Sequence, residues 1–217
     1  MNKRLHELWA EYKRYVLFIV LMVMFRGAVA DWNPVPTGSM LPTIVEGDVI
    51  LVNKLAYDIQ VPFFNTSLIK LDDPERGDIV IFKSKASDLR LVKRVIGVPG
   101  DTLEMNNNQL IINGKKLNYS NANYNSLGSI DVQENLFGLD HDIRISPFRT
   151  SQSSFNKVVI PEDYYFTMGD NRDNSADSRV IGFVPRDEII GRTKRLLLSF
   201  NMENNYLPRK ERFFHTL

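Results

Sequence analysis

Short apolar runs with a two-residue period fill most of this chain beyond its first 32 residues. Gly-Asp or Asn-Gly pairs open or separate several of these runs, and Val, Ile, Leu and Phe dominate them. β-branched alternation bounded by such turns is typical of antiparallel strands. The pattern predicts strands at 47–52, 77–82, 91–96, 102–105, 109–112, 115–117, 157–160, 164–168 and 191–200, with a hairpin turn at Asn113-Gly114. Many short strands at close spacing predict a mainly β fold of antiparallel, folded-over, barrel-like sheets.

Residues 118–156 differ from this pattern. They are rich in Asn, Ser and Asp and show no clear hydrophobic period. The residues themselves leave open whether this insertion is a disordered excursion or a small β subdomain.

The first 32 residues form a separate, apolar unit. Residues 15–25 are continuously apolar, four basic residues precede them, and Arg26 interrupts the run. One interpretation is a transmembrane helix over 15–32, about 27 Å long at roughly 1.5 Å per residue, with the Arg26 guanidinium reaching outward. It would place residues 1–14 in the cytoplasm and 33–217 outside. The other is a cleaved signal peptide ending at Ala28-Val29-Ala30.

Composition excludes several classes of function. The 217 residues suit one domain or one domain with an insertion, and the net charge of +1 gives no footprint for nucleic-acid binding. The absence of cysteine excludes disulfides and thiolate chemistry. The three histidines lie before the apolar run, in the insertion and near the end of the chain, so they indicate neither a metal cluster nor a Ser-His-Asp site.

Two segments predict nucleophilic chemistry without histidine. Ser39 lies in a turn framed by Pro36 and Pro42, and Lys93 lies in the apolar strand 91–96. A serine needs a base to become a good nucleophile. Burial in a strand lowers the pKa of an ammonium group, which would allow Lys93 to serve as that base, whereas the guanidinium of Arg94 stays protonated.

A third segment, 169–179, is rich in Gly, Asp, Asn and Arg. It fails the test for a calcium-binding EF-hand, because Ser178 replaces the glycine and Val184 replaces the final glutamate of that pattern. A structural turn held by Asp–Arg pairs is compatible with the residues alone.

These three segments, in this order behind an apolar N-terminal run, closely resemble the type I signal peptidases. The resemblance implies a serine endopeptidase that removes signal peptides from secreted preproteins after small residues (A-x-A). It also implies a retained single-pass anchor in the bacterial cytoplasmic membrane, near the secretion translocon. A small β insertion at 118–156 and no metal or cofactor are expected.

The resemblance also assigns roles to the third segment. Ser175 matches the serine that orients the lysine amine, with Ser178 as an alternative. Asp177 and Arg179 match a buried pair that fixes the floor of the site.

The oxyanion hole and the substrate pockets complete the predicted site. The Ser39 backbone N–H and the Thr37 hydroxyl, where many signal peptidases carry serine, are the expected oxyanion donors. The side chains expected to line the substrate pockets are Met40, Ile44, Leu51 and Val95.

Two narrower functions stay open from the sequence. One is a maturation peptidase dedicated to a pilin or conjugation substrate, which would share every motif. The other is a catalytically inactive membrane protein that binds preproteins. Self-cleaving Ser-Lys repressors share the dyad, but they carry a DNA-binding module that is not seen in this sequence.

Overall fold

The structure is a computed structural model that describes residues 3–62, 66–124, 128–148 and 150–217. Two α-helices lie within these ranges, α1 Lys3–Ala28 and α2 Ser178–Ile181. The strands are β1 Ala30–Pro34, β2 Asp48–Asn53, β3 Asp58–Val61, β4 Thr66–Lys70, β5 Ile79–Ser84, β6 Leu89–Gly97, β7 Thr102–Asn106, β8 Gln109–Ile112, β9 Lys115–Lys116, β10 Asn118–Tyr124, β11 Ile130–Leu136, β12 Leu139–Ile145, β13 Phe155–Val159, β14 Tyr164–Met168, β15 Val184–Pro185, β16 Ile189–Asn201 and β17 Leu207–Pro208.

The largest sheet has eight strands in the order β1-β2-β16-β5-β6-β14-β15, with β17 on β16. Neighbours in this sheet are antiparallel, which confirms the predicted mainly β class. Arg90 on β6 donates from Nη1 to the Asn33 Oδ1 atom on β1 at 2.9 Å, so the sheet curls back on itself.

Each predicted strand is confirmed, with shifts of a few residues at its ends. The Gly47 and Gly77 turns have positive φ angles of 87° and 94°, a conformation that glycine adopts without steric cost. Asn113 and Gly114 likewise have positive φ and join β8 to β9, as the hairpin prediction requires.

The insertion folds as a small β unit. Strands β10, β11 and β12 form an antiparallel meander, and β13 returns to pair with β7. The β-subdomain interpretation of residues 118–156 is therefore correct for its described part, while residues 125–127 and 149 lie outside the described residues.

The N-terminal helix ends earlier than predicted. α1 stops at Ala28, and Trp32 lies in β1, because residues 30–34 pair with β2. The Val29 carbonyl accepts from Lys54 N at 2.9 Å, so the Ala28-Val29-Ala30 stretch runs from the end of α1 into the first strand of the sheet. In the described ranges, no helix combines the length and apolarity that a membrane crossing requires.

Candidate active site

The serine turn stands on a buried apolar cluster. Residues Gly38–Met40 form one turn of 3₁₀ helix, and the Met40 side chain is fully buried. It packs with Ile44 and other members of a cluster whose remaining buried residues are Val35, Ile50, Val52, Ile79, Ile81 and Leu196. With Met40 fixed below, the adjacent Ser39 is held half-buried at the surface of the turn.

Lys93 approaches the serine from β6. Its Nζ atom lies 2.7 Å from Ser39 Oγ and donates to the Val92 carbonyl at 2.9 Å. The side chains of β6 alternate, because Leu91 and Val95 pack in one cluster while Val92 packs in another. Lys93 itself is only 2% exposed, so its side chain is shielded from water.

Burial changes the proton affinity of this amine. Desolvation lowers the pKa of Lys93 from 10.5 to about 8, because an ammonium ion loses its hydration in the apolar strand. The carboxylates of Asp177 and Asp170 oppose that effect, and the Arg179 guanidinium adds to it. A substantial neutral fraction of Lys93 is thus available at mildly alkaline pH.

Asp177 and Arg179 form a buried ion pair below the site. The Asp177 carboxylate accepts from Arg179 Nε at 2.8 Å and from Nη2 at 2.6 Å, and it also accepts from Gly169 N at 2.9 Å. Arg179 Nη1 donates to the Gln152 carbonyl at 3.0 Å. A Cβ on Gly169 would lie 2.3 Å from the Ser39 carbonyl oxygen, so the floor fits against the serine turn with no room for a side chain.

Ser175 does not make the predicted hydrogen bond to Lys93. Its side chain is buried beside Gly169, and its Oγ has no hydrogen-bond partner in the described part of the chain. The Lys93 amine contacts Ser39 and the Val92 carbonyl instead. The alternative, Ser178, accepts from Thr167 N at 2.9 Å and is engaged away from the lysine.

The residues expected to line the substrate pockets differ in burial, and their role in binding substrate stays a prediction. Met40, Ile44 and Val95 are fully buried. Leu51 is half-buried beside a small cavity of about 160 Å³ shared with Asn53, Arg192, Lys194 and Arg195. Neighbours of catalytic residues in sequence point inward here, because they anchor the turn and the strand.

The Thr37 hydroxyl is exposed at the start of the serine turn. Thr37 precedes the 3₁₀ turn in an extended conformation, and its side chain is exposed and forms no capping hydrogen bond. It is therefore available to an incoming carbonyl oxygen.

Two further contacts of the site were missed by the sequence analysis. Arg94 and Asp170 form a buried bidentate pair at 2.9 and 2.8 Å, and Thr43 donates to the same carboxylate at 2.6 Å. Asn171 contacts the backbone of the serine turn. The Arg94–Asp170 pair could have been expected from the Lys-Arg sequence inside an apolar strand, since a buried arginine requires a carboxylate partner.

The arrangement suits proton transfer between an amine and a hydroxyl. In the described ranges, no group of three or more His, Asp or Glu side chains could hold a metal ion.

Comparisons with known proteins agree with the sequence resemblance. A family model described as "Signal peptidase, peptidase S26" matches residues 8–198. Signal peptidase I of Pseudomonas aeruginosa is 37% identical over 85% of this chain and 70% of its own length. The enzymes of Pseudomonas fluorescens and Buchnera aphidicola (Schizaphis graminum) are 36% and 33% identical, covering 85% and 88% of this chain and 70% and 74% of their own. A solved signal peptidase I from Enterococcus faecalis is 29% identical over 57% of this chain and 98% of its own, with a TM-score of 0.38, too low to bear on the fold.

Proposed function

This chain belongs to the signal peptidase family, peptidase S26, and is a serine endopeptidase, and we propose that it removes N-terminal signal peptides with Ser39 as nucleophile and Lys93 as general base. The observation that carries the dyad is the 2.7 Å separation of Lys93 Nζ and Ser39 Oγ in a buried environment. A general base must lie within hydrogen-bonding distance of the proton that it removes, and this amine does.

The reaction follows from that geometry. Neutral Lys93 takes the hydroxyl proton as Ser39 Oγ attacks the carbonyl carbon of the scissile peptide. The resulting ammonium then gives the proton to the leaving amine, and the peptide C–N bond breaks to leave an acyl-enzyme ester. Water attacks this ester with Lys93 again accepting the proton, and the serine hydroxyl is restored as the signal peptide leaves.

Charge develops on the carbonyl oxygen in both steps. The Ser39 backbone N–H and the exposed Thr37 hydroxyl are the proposed donors to that oxygen. Donors aimed at a developing charge are often the largest single contribution to catalysis.

A substrate strand has two backbone edges to bind. Within the described residues, β1 pairs on one side only, with β2, and residues 89–92 of β6 pair only with β5. The Arg90–Asn33 hydrogen bond shows that these two edges lie close together, with Lys93 at the end of the β6 edge. An extended substrate entering between them would present alternate side chains to the protein, and the proposed A-x-A preference requires that only small side chains fit there.

Attachment to the cytoplasmic membrane is proposed through the apolar stretch 15–25 of α1, although the helix as a whole does not reach the apolarity of a spanning helix. Every side chain from Tyr15 to Phe25 is more than a third exposed, so α1 presents apolar surface on all sides. Lipid is the occupant that this surface favours, and Lys13 and Arg14 place the preceding segment on the cytoplasmic side. The catalytic domain would then face outward, where preproteins leave the translocon.

The test is cleavage of a preprotein. The detergent-solubilised protein is incubated with a preprotein bearing an A-x-A site, and the products are weighed by mass spectrometry, with Ser39→Ala as the matched control. Cleavage directly after the second alanine by the native protein alone is expected. An intact preprotein, with folded enzyme present, contradicts general signal-peptide removal.

Membrane attachment needs its own experiment. Membranes from cells that make the protein are washed with alkaline carbonate, and the protein is expected in the pellet. Protease added outside the cytoplasmic membrane should then digest the catalytic domain. Release by carbonate would contradict attachment through α1.

A further inference from the structure

The insertion contacts the floor of the active site through its third strand. Arg144 N on β12 donates to the Asp170 carbonyl at 2.8 Å, and Arg172 N donates back to the Arg144 carbonyl at 2.9 Å. Arg144 and Asn171 form a parallel bridge. The insertion therefore forms a short backbone pairing with segment 170–172, which links it directly to the floor of the active site.

A buried ion pair strengthens this connection. Arg172 donates from Nη1 to Glu134 Oε2 at 2.8 Å and from Nη2 to Oε1 at 2.5 Å, and both side chains are completely buried. His141 Nε2 lies 3.2 Å from the same carboxylate. Burial alone would raise the pKa of Glu134, but the adjacent Arg172 guanidinium outweighs that effect and holds the pKa well below its usual range. Glu134 is thus a charged anchor on β11.

Asn171, the residue next to Arg172, holds the serine turn through two hydrogen bonds. Asn171 Nδ2 donates to the Gly38 carbonyl at 2.9 Å, and Asn171 N donates to the Ser39 carbonyl at 3.1 Å. The Gly38 carbonyl and the Ser39 N–H belong to one peptide unit, which is planar. A hydrogen bond that fixes the direction of that carbonyl therefore also fixes the direction of the Ser39 N–H.

We propose that Glu134 is a positioning residue for cleavage: it holds Arg172, and through Asn171 it aims the Ser39 N–H at the substrate oxyanion. This inference rests on the proposed function, because the N–H matters only if Ser39 is the nucleophile. Glu134 itself contacts neither substrate nor the reacting atoms. Its effect is expected in the chemical step, because the oxyanion forms only in the transition state.

The chain offers a matched control in the same strand. Asp131 on β11 also holds an arginine through two hydrogen bonds, at 2.6 and 2.7 Å to Arg144, but this pair is partly exposed. Glu134→Gln and Asp131→Asn therefore remove one carboxylate charge each from the same hairpin. Only the first removes a bond to the floor segment.

The experiment measures kcat and KM on a preprotein for native protein, Glu134→Gln and Asp131→Asn across pH. We expect Glu134→Gln to lower kcat by about 10- to 100-fold with KM nearly unchanged, since small misplacements of catalytic groups cost this much. Asp131→Asn should match the native protein. The pH midpoint of kcat/KM should be unchanged in Glu134→Gln, because the Glu134–Arg172 pair acts on the serine turn and its loss leaves Lys93 buried.

Three results would overturn the proposal. They are an unchanged kcat in Glu134→Gln, equal losses in both variants, or a pH midpoint shifted upward, which would indicate that water had reached Lys93. If Glu134→Gln does not fold, Glu134→Asp keeps the charge, shortens the reach to Arg172 and is judged by the same measurements.

A Lys93→Ala arm separates this inference from the proposed function. Activity in Lys93→Ala would contradict the dyad itself. An inactive Lys93→Ala together with a fully active Glu134→Gln would contradict only the positioning role of Glu134.

Discussion

Lys93 Nζ and Ser39 Oγ lie 2.7 Å apart although 54 positions separate them in sequence. The turn brings a hydroxyl to the surface, and the strand brings an amine to it from a buried, apolar side. The distance alone permits a hydrogen bond in either protonation state. Burial decides which state is populated, and the pH dependence of the reaction follows from it.

The rate should rise with pH through the pKa of Lys93. That pKa is lowered to about 8, and only the neutral amine can accept the serine proton. We expect kcat/KM to increase about tenfold per pH unit below this value and to level off above it. Initial rates between pH 6 and 10 provide the measurement, and a flat profile would argue against lysine as the base.

The same burial of Lys93 should lower the free energy of unfolding. Its pKa is lower in the folded state than in the unfolded state, so unfolded chains bind more protons between pH 8 and 10.5, and stability increases with pH there. Below pH 8 the full cost of about 3 kcal/mol applies. Lys93→Met should therefore be inactive yet unfold at a higher temperature than the native protein at pH 6.5. This difference should shrink toward pH 10, and calorimetry at both pH values would show it.

Thr37 should contribute through its hydroxyl alone. Thr37→Ser keeps the donor and should retain most activity, whereas Thr37→Val keeps the shape and should lower kcat by about 10²- to 10³-fold. The KM should change little in either variant, because the donor acts on charge that forms in the transition state. Equal activity of the two variants would remove Thr37 from the oxyanion hole.

Asp177→Asn should destabilise the fold. The change leaves the Arg179 guanidinium buried without its carboxylate and weakens the bond to Gly169 N. Breaking a buried pair in this way typically costs about 3–5 kcal/mol. Urea unfolding monitored by tryptophan fluorescence measures the loss. Asp187→Asn, in an exposed pair with Lys85, is the control and should stay within about 0.5 kcal/mol of the native protein.

Gly169→Ala should inactivate by contact rather than by backbone strain. The added Cβ would lie 2.3 Å from both the Ser39 carbonyl oxygen and Ser175 Oγ, so the serine turn must move. Gly182→Ala provides the comparison, because its Cβ meets open space while its φ of 84° carries the strain. Preprotein cleavage should be lost in the first variant and retained in the second. A fully active Gly169→Ala would show that the turn tolerates displacement.

The parts of this structure that were predictable are local. Alternation and Gly-Asp turns located the strands, and Ser39 and Lys93 were chosen because their neighbours in sequence already suggested a turn and an apolar strand. The contacts of Glu134 and Asn171 were not predictable, because they depend on which strands meet in space. The burial of Met40, Ile44 and Val95 was not predictable for the same reason: adjacency in sequence does not show which face of a turn or strand meets the core.

The order of synthesis determines when Asn171 can form its hydrogen bonds to the serine turn. Asn171 is made 133 positions after Gly38, roughly 10 s later at typical rates of synthesis. Until it arrives, the Gly38 carbonyl accepts only from Leu41 N within the turn, and the segment below the nucleophile is missing. By contrast, Val29 finds its partner Lys54 only 25 positions on, so the residue that holds the Ala28-Val29-Ala30 stretch is made well before the segment that completes the site.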